Sequence, residues 1–372
     1  MNAALPQRLN SIQALRGIAA ILVLFFHIAE FQRQMVGVNS PDLVLLNGVW
    51  NQGWAGVDLF FVISGFIMVY VTRNTGRSLT DIRTFLWARM TRIYPLWWVC
   101  CSVLALYFFI TYGIVEAPDR VSSKQEAWAF FARSMMLIPQ ERLPLLTLGW
   151  TLIHELFFYL VFAAILCAPR KLLPKLLALW VGITLLGYFF VGPHISRGPI
   201  FNLIMSPLSL EFIFGALAGL LVVKRRQILP KSIFLAGAIL SVLALFLFPY
   251  LFGQTTALPR VLVFALPMGA LVYGAASLDV EGKFELPAIL VHLGNWSYSI
   301  YLTHYLVLIS LRRVYRELVP ERLQIGSSGS LDNILFVVMA IILSIGVASL
   351  SYRFIERPSL LFFRRKNIAA ND

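Results

Sequence analysis

Residues 12–30 read IQALRGIAAILVLFFHIAE, a largely apolar run of 19 residues. An α-helix needs roughly 20 apolar residues to cross the hydrocarbon core of a bilayer. Nine further apolar runs of comparable length follow along the chain. The sequence therefore predicts an all-α fold, a polytopic transmembrane bundle of about ten helices.

Composition supports this fold class and excludes others. Of the 372 residues, 59% are hydrophobic and only 13% are charged, whereas a soluble domain carries about 25% charged residues. A soluble enzyme, a disordered chain and a disulfide scaffold are therefore excluded. The three cysteines, Cys100, Cys101 and Cys167, lie in apolar segments. We expect them to be small buried side chains, with no disulfide framework and no metal site. The predicted spans cover residues 12–30, 54–72, 93–113, 148–168, 174–192, 202–223, 232–252, 260–278, 294–311 and 333–353.

The net charge of +13 is distributed as in membrane proteins. The basic residues gather in short loops between apolar runs, and no nucleic-acid motif is present, so nucleic acid is not an expected partner. An even number of spans puts both termini on one side of the membrane. Placing them in the cytoplasm puts 20 of the 31 Lys and Arg residues inside, as the positive-inside rule favours. We expect one membrane-embedded domain over residues 1–372, with helices between residues 12 and 353 and a short cytoplasmic tail, 354–372.

Arg16 and His27 stand out on the first segment, because titratable groups within a membrane are costly and mark functional sites. Eleven positions at 100° each bring the two side chains to within about 20° of one another on the helix, about 16 Å apart along its axis. One groove could therefore bind an anion at the inner end and carry chemistry toward the outer end. The alternative is that Arg16 snorkels to the headgroups and His27 is a satisfied interior group.

Two carboxylates are candidate partners of the His27 imidazole. Asp58 opens the second segment, at the predicted depth of His27, where a carboxylate would orient the ring of a general base; a helix cap is the alternative. Glu155 lies about 10 Å below the outer end of the fourth segment, with Tyr159 one turn further on the same face. A carboxylate at that depth needs a partner or a wet cavity, and structural pairing with an Arg or His is the alternative role.

Two further patterns suggest binding surfaces. Arg89 and Arg92 share a helix face before the third segment and could hold a phosphate, or could simply be an inner stop signal. Ser297, Tyr301 and His304 can line one face of the ninth segment, either as the wall of a substrate path or as interhelical hydrogen-bonding groups. Residues 128–137, in the longest connection, have the pattern of an amphipathic helix lying in the outer interface.

Taken together, these motifs resemble acyltransferase family 3, the bacterial integral membrane O-acyltransferases. The amino-acid sequence of the Asp58 motif is similar to that of the exopolysaccharide-production acetyltransferase branch. The resemblance extends over about residues 10–360. Its motifs are Gln13-Ala-Leu-Arg16-Gly with ten residues before His27, Gly56-Val-Asp58-Leu-Phe-Phe-Val-Ile-Ser-Gly-Phe66, Arg89-x-x-Arg92-Ile-Tyr-Pro95, Trp150-x-Leu-x-x-Glu155-x-x-Phe-Tyr159, Ser299-Ile-Tyr-Leu-Thr-His304 and Tyr352-x-x-Ile-Glu356-Arg-Pro358.

The resemblance implies transfer of an acyl group, taken to be acetyl, from cytoplasmic acyl-CoA to a glycan hydroxyl at a bacterial inner membrane. The resemblance also implies that the family's essential Arg–His pair corresponds to Arg16 and His27. Its Arg-x-x-Arg pair then corresponds to Arg89 and Arg92. Acyl-CoA is then a co-substrate, no bound cofactor is expected, and the partners are a glycan acceptor and membrane lipid. A proton-coupled transporter or flippase is the alternative, and a structural subunit of an export complex a weaker one. The acyl chain, the sugar and the oligomeric state are left open.

Overall fold

The computed structural model describes residues 5–36, 48–117, 123–191, 198–226, 228–252, 258–318 and 330–369, and every regular element within these ranges is helical. The all-α prediction is confirmed. In chain order the helices are α1 (Asn10–Val36), α2 (Ala55–Val71), α3 (Leu79–Tyr112), α4 (Lys124–Met135), α5 (Gly149–Leu166), α6 (Leu173–Val191), α7 (Pro199–Ile204), α8 (Ser209–Val223), α9 (Pro230–Phe252), α10 (Leu258–Val280), α11 (Ala288–Leu318), α12 (Ser330–Ser351) and α13 (Arg357–Ala369).

Each of the ten predicted spans falls on helical residues, and the span 202–223 takes in the end of α7 and all of α8. Among the described residues, eight helical segments are long and apolar enough to cross a membrane. The 17-residue α2 is apolar but shorter, and α11 is not among the eight. The chain is therefore a multi-pass membrane protein. The placement of both termini in the cytoplasm stays a prediction.

Two details differ from the sequence expectations. α3 begins at Leu79, well before the predicted start at residue 93, because Ser78 and Asp81 form a reciprocal capping box at its N-terminus. The helix continues through Pro95, as transmembrane helices allow.

Cys100 and Cys101 are buried, but Cys167 is exposed, so the expectation of burial is wrong for Cys167. The amphipathic helix expected near residues 128–137 is confirmed as α4; its place in the outer interface stays a prediction.

The chain packs as two compact units. Unit 1 comprises residues 1–73 and 214–352, and unit 2 comprises residues 74–213 and 353–372. That the whole chain acts as one domain stays a prediction of the sequence. In unit 2, the aromatic side chains of Phe158, Trp180 and Phe212 pack together, with ring centroids 4.9 to 6.1 Å apart.

Unit 1 is organised by a parallel packing of α1 against α11. Arg8 donates a hydrogen bond to Asn295 at one end, and Arg312 donates to Gln34 at the other, at 2.7 Å. Between them, a Cβ on Gly294 would overlap the main chain at Gln13, so this glycine lets the two backbones approach closely. The N-termini of the two helices therefore lie at the same end, as the predicted topology requires for the first and ninth spans.

Candidate active site

The α1–α11 register brings His27 and His304 together. The Nε2 atom of His304 lies 3.2 Å from the Nδ1 atom of His27, and the ring centroids are 5.0 Å apart. His304 is fully buried, whereas His27 is partly exposed. The two histidines form a dyad in which His27 is the accessible member.

Main-chain contacts fix the tautomers of this dyad. Nδ1 of His304 lies 2.8 Å from the carbonyl oxygen of Ile300, and Nδ1 of His27 lies 2.9 Å from that of Val23. A carbonyl oxygen only accepts hydrogen bonds, so we assign the proton to Nδ1 in both rings. The one Nδ1–H of His27 is then shared between two acceptors, the carbonyl oxygen of Val23 and Nε2 of His304. The Nε2 atom of His27 is left as the lone-pair nitrogen, which is the atom a general base uses.

Aromatic rings enclose the dyad. The ring of Tyr305 stands perpendicular to that of His27, with centroids 5.6 Å apart. Tyr301, one turn before His304, packs edge-on against Phe60 of α2 at 5.8 Å. Such packing holds the imidazoles in place and restricts water.

Ser297, Tyr301 and His304, which the sequence placed on one face, are all buried. Within the described part of the chain, the hydroxyl of Ser297 has no hydrogen-bond partner. Buried polar atoms are nearly always paired in native proteins. An orphaned hydroxyl two turns below His304 is therefore available to a bound ligand. Its use as a substrate wall stays a prediction.

The helical period puts Arg16 on the α1 face that carries His27, about three turns before it, and its Nη1 donates to Gln13 at 3.2 Å. Eleven residues separate Arg16 from His27, about 16 Å at the helical rise of 1.5 Å per residue. The main chain of Gln13 packs closely against Gly294 of α11. The guanidinium of Arg16, which bonds to Gln13, therefore lies beside the same α1–α11 contact that holds the dyad. The structure thus keeps the two groups on one side of α1, at different depths.

Asp58 has a different partner from the one that the sequence suggested. Arg260 of α10 donates to both of its carboxylate oxygens, at 2.9 and 2.8 Å, and the same guanidinium lies 4.1 Å above the ring of Trp54. The expected depth also needs correction. Gly56 contacts Ala19 of α1, which places Asp58 nearer the Arg16 end of α1 than His27 is. Asp58 is therefore an ion-pair partner of Arg260, and its expected pairing with His27 is not what the structure contains.

A second polar cluster lies within unit 2. Tyr159 donates a hydrogen bond to Glu155, its neighbour one turn earlier on α5. Arg89 of α3 hydrogen-bonds to Tyr159 and interacts electrostatically with both Glu155 and Arg92. The structure thus brings together four residues for which the sequence predicted different roles: phosphate binding for Arg89 and Arg92, catalysis for Glu155, and lining of the acceptor path for Tyr159. The four residues include two guanidinium groups and one carboxylate, and arginine side chains are suited to bind an anion.

Sequence reasoning missed two features of unit 1. It treated His304 as a lining residue, although the Ser-Ile-Tyr-Leu-Thr-His304 motif carried the signal of a second intramembrane histidine. It also passed over Glu30, whose carboxylate is one turn from His27, acts on it electrostatically and pairs with Arg33 at 2.8 Å. Among the described residues, no group of His, Cys, Asp and Glu side chains is arranged to hold a metal ion.

Comparison with known proteins identifies the class. The model of the acyltransferase domain family matches residues 9–353, and the chain belongs to this family. The protein is therefore an O-acyltransferase, an enzyme that needs an acyl donor as co-substrate. This confirms the resemblance drawn from the motifs, including its exopolysaccharide-production branch, and decides against a transporter or a purely structural subunit as the primary activity.

Particular relatives narrow the comparison. The chain is similar to "Exopolysaccharide production protein ExoZ" of Rhizobium meliloti strain 1021, at 30% identity over 86% of this chain and 93% of the relative. It is 26% identical to "Acyltransferase MdmB" of Streptomyces mycarofaciens, over 81% of this chain and 79% of that protein. It is 21% identical to "O-acetyltransferase OatA" of Staphylococcus aureus, over 95% of this chain but 57% of that protein. No solved structure matches the chain.

Proposed function

We propose that this protein moves an acetyl group from cytoplasmic acetyl-CoA to a hydroxyl of an exopolysaccharide or another surface glycan, at a bacterial inner membrane. The names of the relatives, an exopolysaccharide production protein and an O-acetyltransferase, support the acceptor class and the acyl group. The charge bias of the loops supports a cytoplasmic donor side. The observation that carries the proposal is the His27–His304 dyad.

In the proposed reaction His27 acts as general base. Its Nε2 atom takes the proton of the sugar hydroxyl as the oxygen attacks the thioester carbonyl. The new C–O bond forms, the C–S bond breaks, and the proton passes from Nε2 to the departing thiolate of CoA. General base catalysis of this kind contributes roughly 10²- to 10⁴-fold. The same nitrogen could instead carry the acetyl group as an acyl-imidazole before the hydroxyl attacks.

His304 is a positioning residue in this scheme. When Nε2 of His27 gains a proton, the ring becomes an imidazolium whose Nδ1–H is shared by the Val23 carbonyl and Nε2 of His304. That hydrogen bond becomes charge-assisted and therefore strengthens as the transition state is reached. Glu30, one turn away, adds a negative charge without being a direct ligand of the ring.

Arginines are the proposed holders of the donor's phosphates. Arg16, Arg89 and Arg92 are each proposed for this role, as the family resemblance implies. Because Glu155 and Tyr159 contact Arg89 or each other, we propose that they orient Arg89 and are not partners of His27. We propose that the hydroxyl of Ser297, which has no hydrogen-bond partner among the described residues, bonds an amide of the pantetheine arm.

The test is acetyl transfer by purified protein in lipid nanodiscs, with acetyl-CoA and de-O-acetylated surface polysaccharide. We expect wild-type protein to release CoA and to add the mass of acetyl groups to the glycan. His27→Ala should abolish both, and His292→Ala, a change of an exposed histidine on α11, should abolish neither. Full acetyl transfer by a folded His27→Ala protein would refute the assignment.

A further inference from the structure

Unit 2 contains a pocket that the proposed chemistry does not use. It has a volume of about 590 Å³ and lies between the loop 139–144, the first turns of α5 and the short helix α7. Small-molecule sites typically have volumes of about 300–1,000 Å³. The pocket is therefore large enough for a ligand rather than for a few water molecules.

The loop that forms one wall is held in a fixed shape. Three aromatic donors of α3 bind the last carbonyl oxygens of the α4 region: Trp97 to Ser134 at 3.1 Å, Trp98 to Met135 at 3.0 Å, and Tyr94 to Met136 at 3.0 Å. The main chain of Leu145 then donates to the Ser134 hydroxyl at 3.0 Å and closes the loop back onto α4. A wall tied at both ends is a preformed surface, which lowers the entropic cost of binding.

The chemistry of the lining favours a neutral polyhydroxylated ligand. Trp150 offers an aromatic face, and Gln140 and Asn202 offer planar amides that donate and accept. His154 gives its Nδ1 proton to the carbonyl of Trp150, at 2.9 Å, so its Nε2 carries the lone pair of the ring. An aromatic face surrounded by such groups suits a sugar, because the C–H groups of the sugar can pack on the ring and its hydroxyls can bond to the polar side chains.

Charge argues against the acyl donor as the occupant. Arg142 is the one arginine among the lining residues that the structure describes, and it is paired with Glu126 at 2.9 Å. Glu141 adds a negative charge to the same wall. Among the described residues that line the pocket, the phosphates of CoA would meet no uncompensated cation, unlike at the cluster of Arg89 and Arg92. The loop also belongs to the connection that the charge bias predicts to be outside, away from cytoplasmic CoA.

From this lining we infer that the pocket is a binding subsite for the glycan acceptor, with Trp150 as its platform and Asn202 and His154 as hydrogen-bonding groups. The inference rests on the proposed function, because that function supplies the glycan. It adds a place where specificity for the sugar is set, apart from the residues proposed to carry the chemistry.

The experiment measures two Michaelis constants and one direct binding constant. With full-length protein in nanodiscs, the KM for de-O-acetylated oligosaccharide and the KM for acetyl-CoA are compared among wild type, Trp150→Ala, Trp150→Phe and Asn202→Ala. Trp128→Ala is the matched control, because Trp128 is exposed on α4 and does not line the pocket. Saturation-transfer NMR with the same oligosaccharide, without donor, reports binding alone.

We expect Trp150→Ala to raise the glycan KM about tenfold, equivalent to about 1.4 kcal/mol, with the acetyl-CoA KM unchanged. Trp150→Phe should restore most of the affinity. An unchanged glycan KM in both Trp150→Ala and Asn202→Ala, or a rise in the acetyl-CoA KM alone, overturns the inference. If Trp150→Ala does not fold, the exposed Asn202→Ala decides alone.

The two proposals fail in different ways. If wild-type protein releases no CoA with any glycan, the proposed function fails, and the NMR arm still tests the pocket. Loss of saturation transfer in Trp150→Ala then supports a sugar site, and transfer equal to wild type overturns it.

Discussion

Replacing His304 tests the proposed mechanism most directly, because this residue touches His27 and, in the proposal, no substrate. His304 lies 3.2 Å from His27 and is fully buried. Truncation to alanine would leave a cavity, and cavities of this kind cost about 2–5 kcal/mol of stability. His304→Leu fills a similar volume but removes the acceptor, and His304→Gln keeps an acceptor oxygen within reach.

The size of the effect follows from the hydrogen bond that is lost. A hydrogen bond to a charged group contributes about 1.5–3 kcal/mol. A hydrogen bond between neutral groups contributes about 0.5–1.5 kcal/mol, and the dyad has one at rest, so only the gain of about 1–1.5 kcal/mol on protonation of His27 acts on the barrier. At 1.36 kcal/mol per factor of ten, kcat should fall roughly 5- to 13-fold in His304→Leu. His304→Gln should recover most of that loss.

The assay is steady-state release of CoA in nanodiscs at saturating glycan, with both KM values measured. His292→Ala is the matched control, since it removes an exposed histidine from the same helix. A kcat in His304→Leu equal to that of wild type would refute the dyad. Equal losses in His304→Leu and His304→Gln, with raised KM values in both, would show that His304 supports only the packing.

Three other perturbations give separate predictions. Arg260→Met leaves the buried carboxylate of Asp58 unpaired and should lower the free energy of unfolding by about 3–5 kcal/mol. Adding Asp58→Leu should restore most of that stability in thermal unfolding in detergent, and a double variant that recovers none of it contradicts the structural role of the ion pair. Gly294→Ala forces α1 from α11 and should reduce acetyl transfer, whereas Gly346→Ala, where a Cβ meets open space, should not; equal activities would argue against the close approach. Arg92→Ala should raise the KM for acetyl-CoA about tenfold, the equivalent of one charge-assisted contact of about 1.4 kcal/mol, and an unchanged value would remove Arg92 from donor binding.

Local properties of the chain were predictable from the sequence. The ten spans depend only on runs of apolar residues, and all of them coincide with helices, although the span 202–223 is divided between α7 and α8. Same-face relations within one helix also follow from the 3.6-residue period. Glu155 and Tyr159 are an example, because the i, i+4 spacing put them on one face and the structure joins them by a hydrogen bond. Ser297, Tyr301 and His304 are a second, since all three are buried.

Relations between helices were not predictable in the same way. The partner of Asp58 is Arg260, 202 residues further along the chain, and no periodicity within α2 points to it. The depth of α2 against α1 is set by close packing at Gly53 and Gly56, because glycines let backbones approach and so fix the register. That register places Asp58 about two helical turns away from the depth of His27, where the sequence predicted it.

The observed partner suits a membrane interior better than the expected one. A carboxylate beside a resting, neutral His27 would be a buried charge without compensation, and such groups are costly in a medium of low dielectric. A neutral imidazole carries no charge until the base takes a proton, so His304 gives directional support without that cost. The carboxylates of Asp58 and Glu30 are each paired with an arginine, Asp58 with Arg260 at 2.8 Å and Glu30 with Arg33 at 2.8 Å. The parallel register of α1 and α11 is therefore the structural feature on which the proposed chemistry depends, because it alone aligns the two rings.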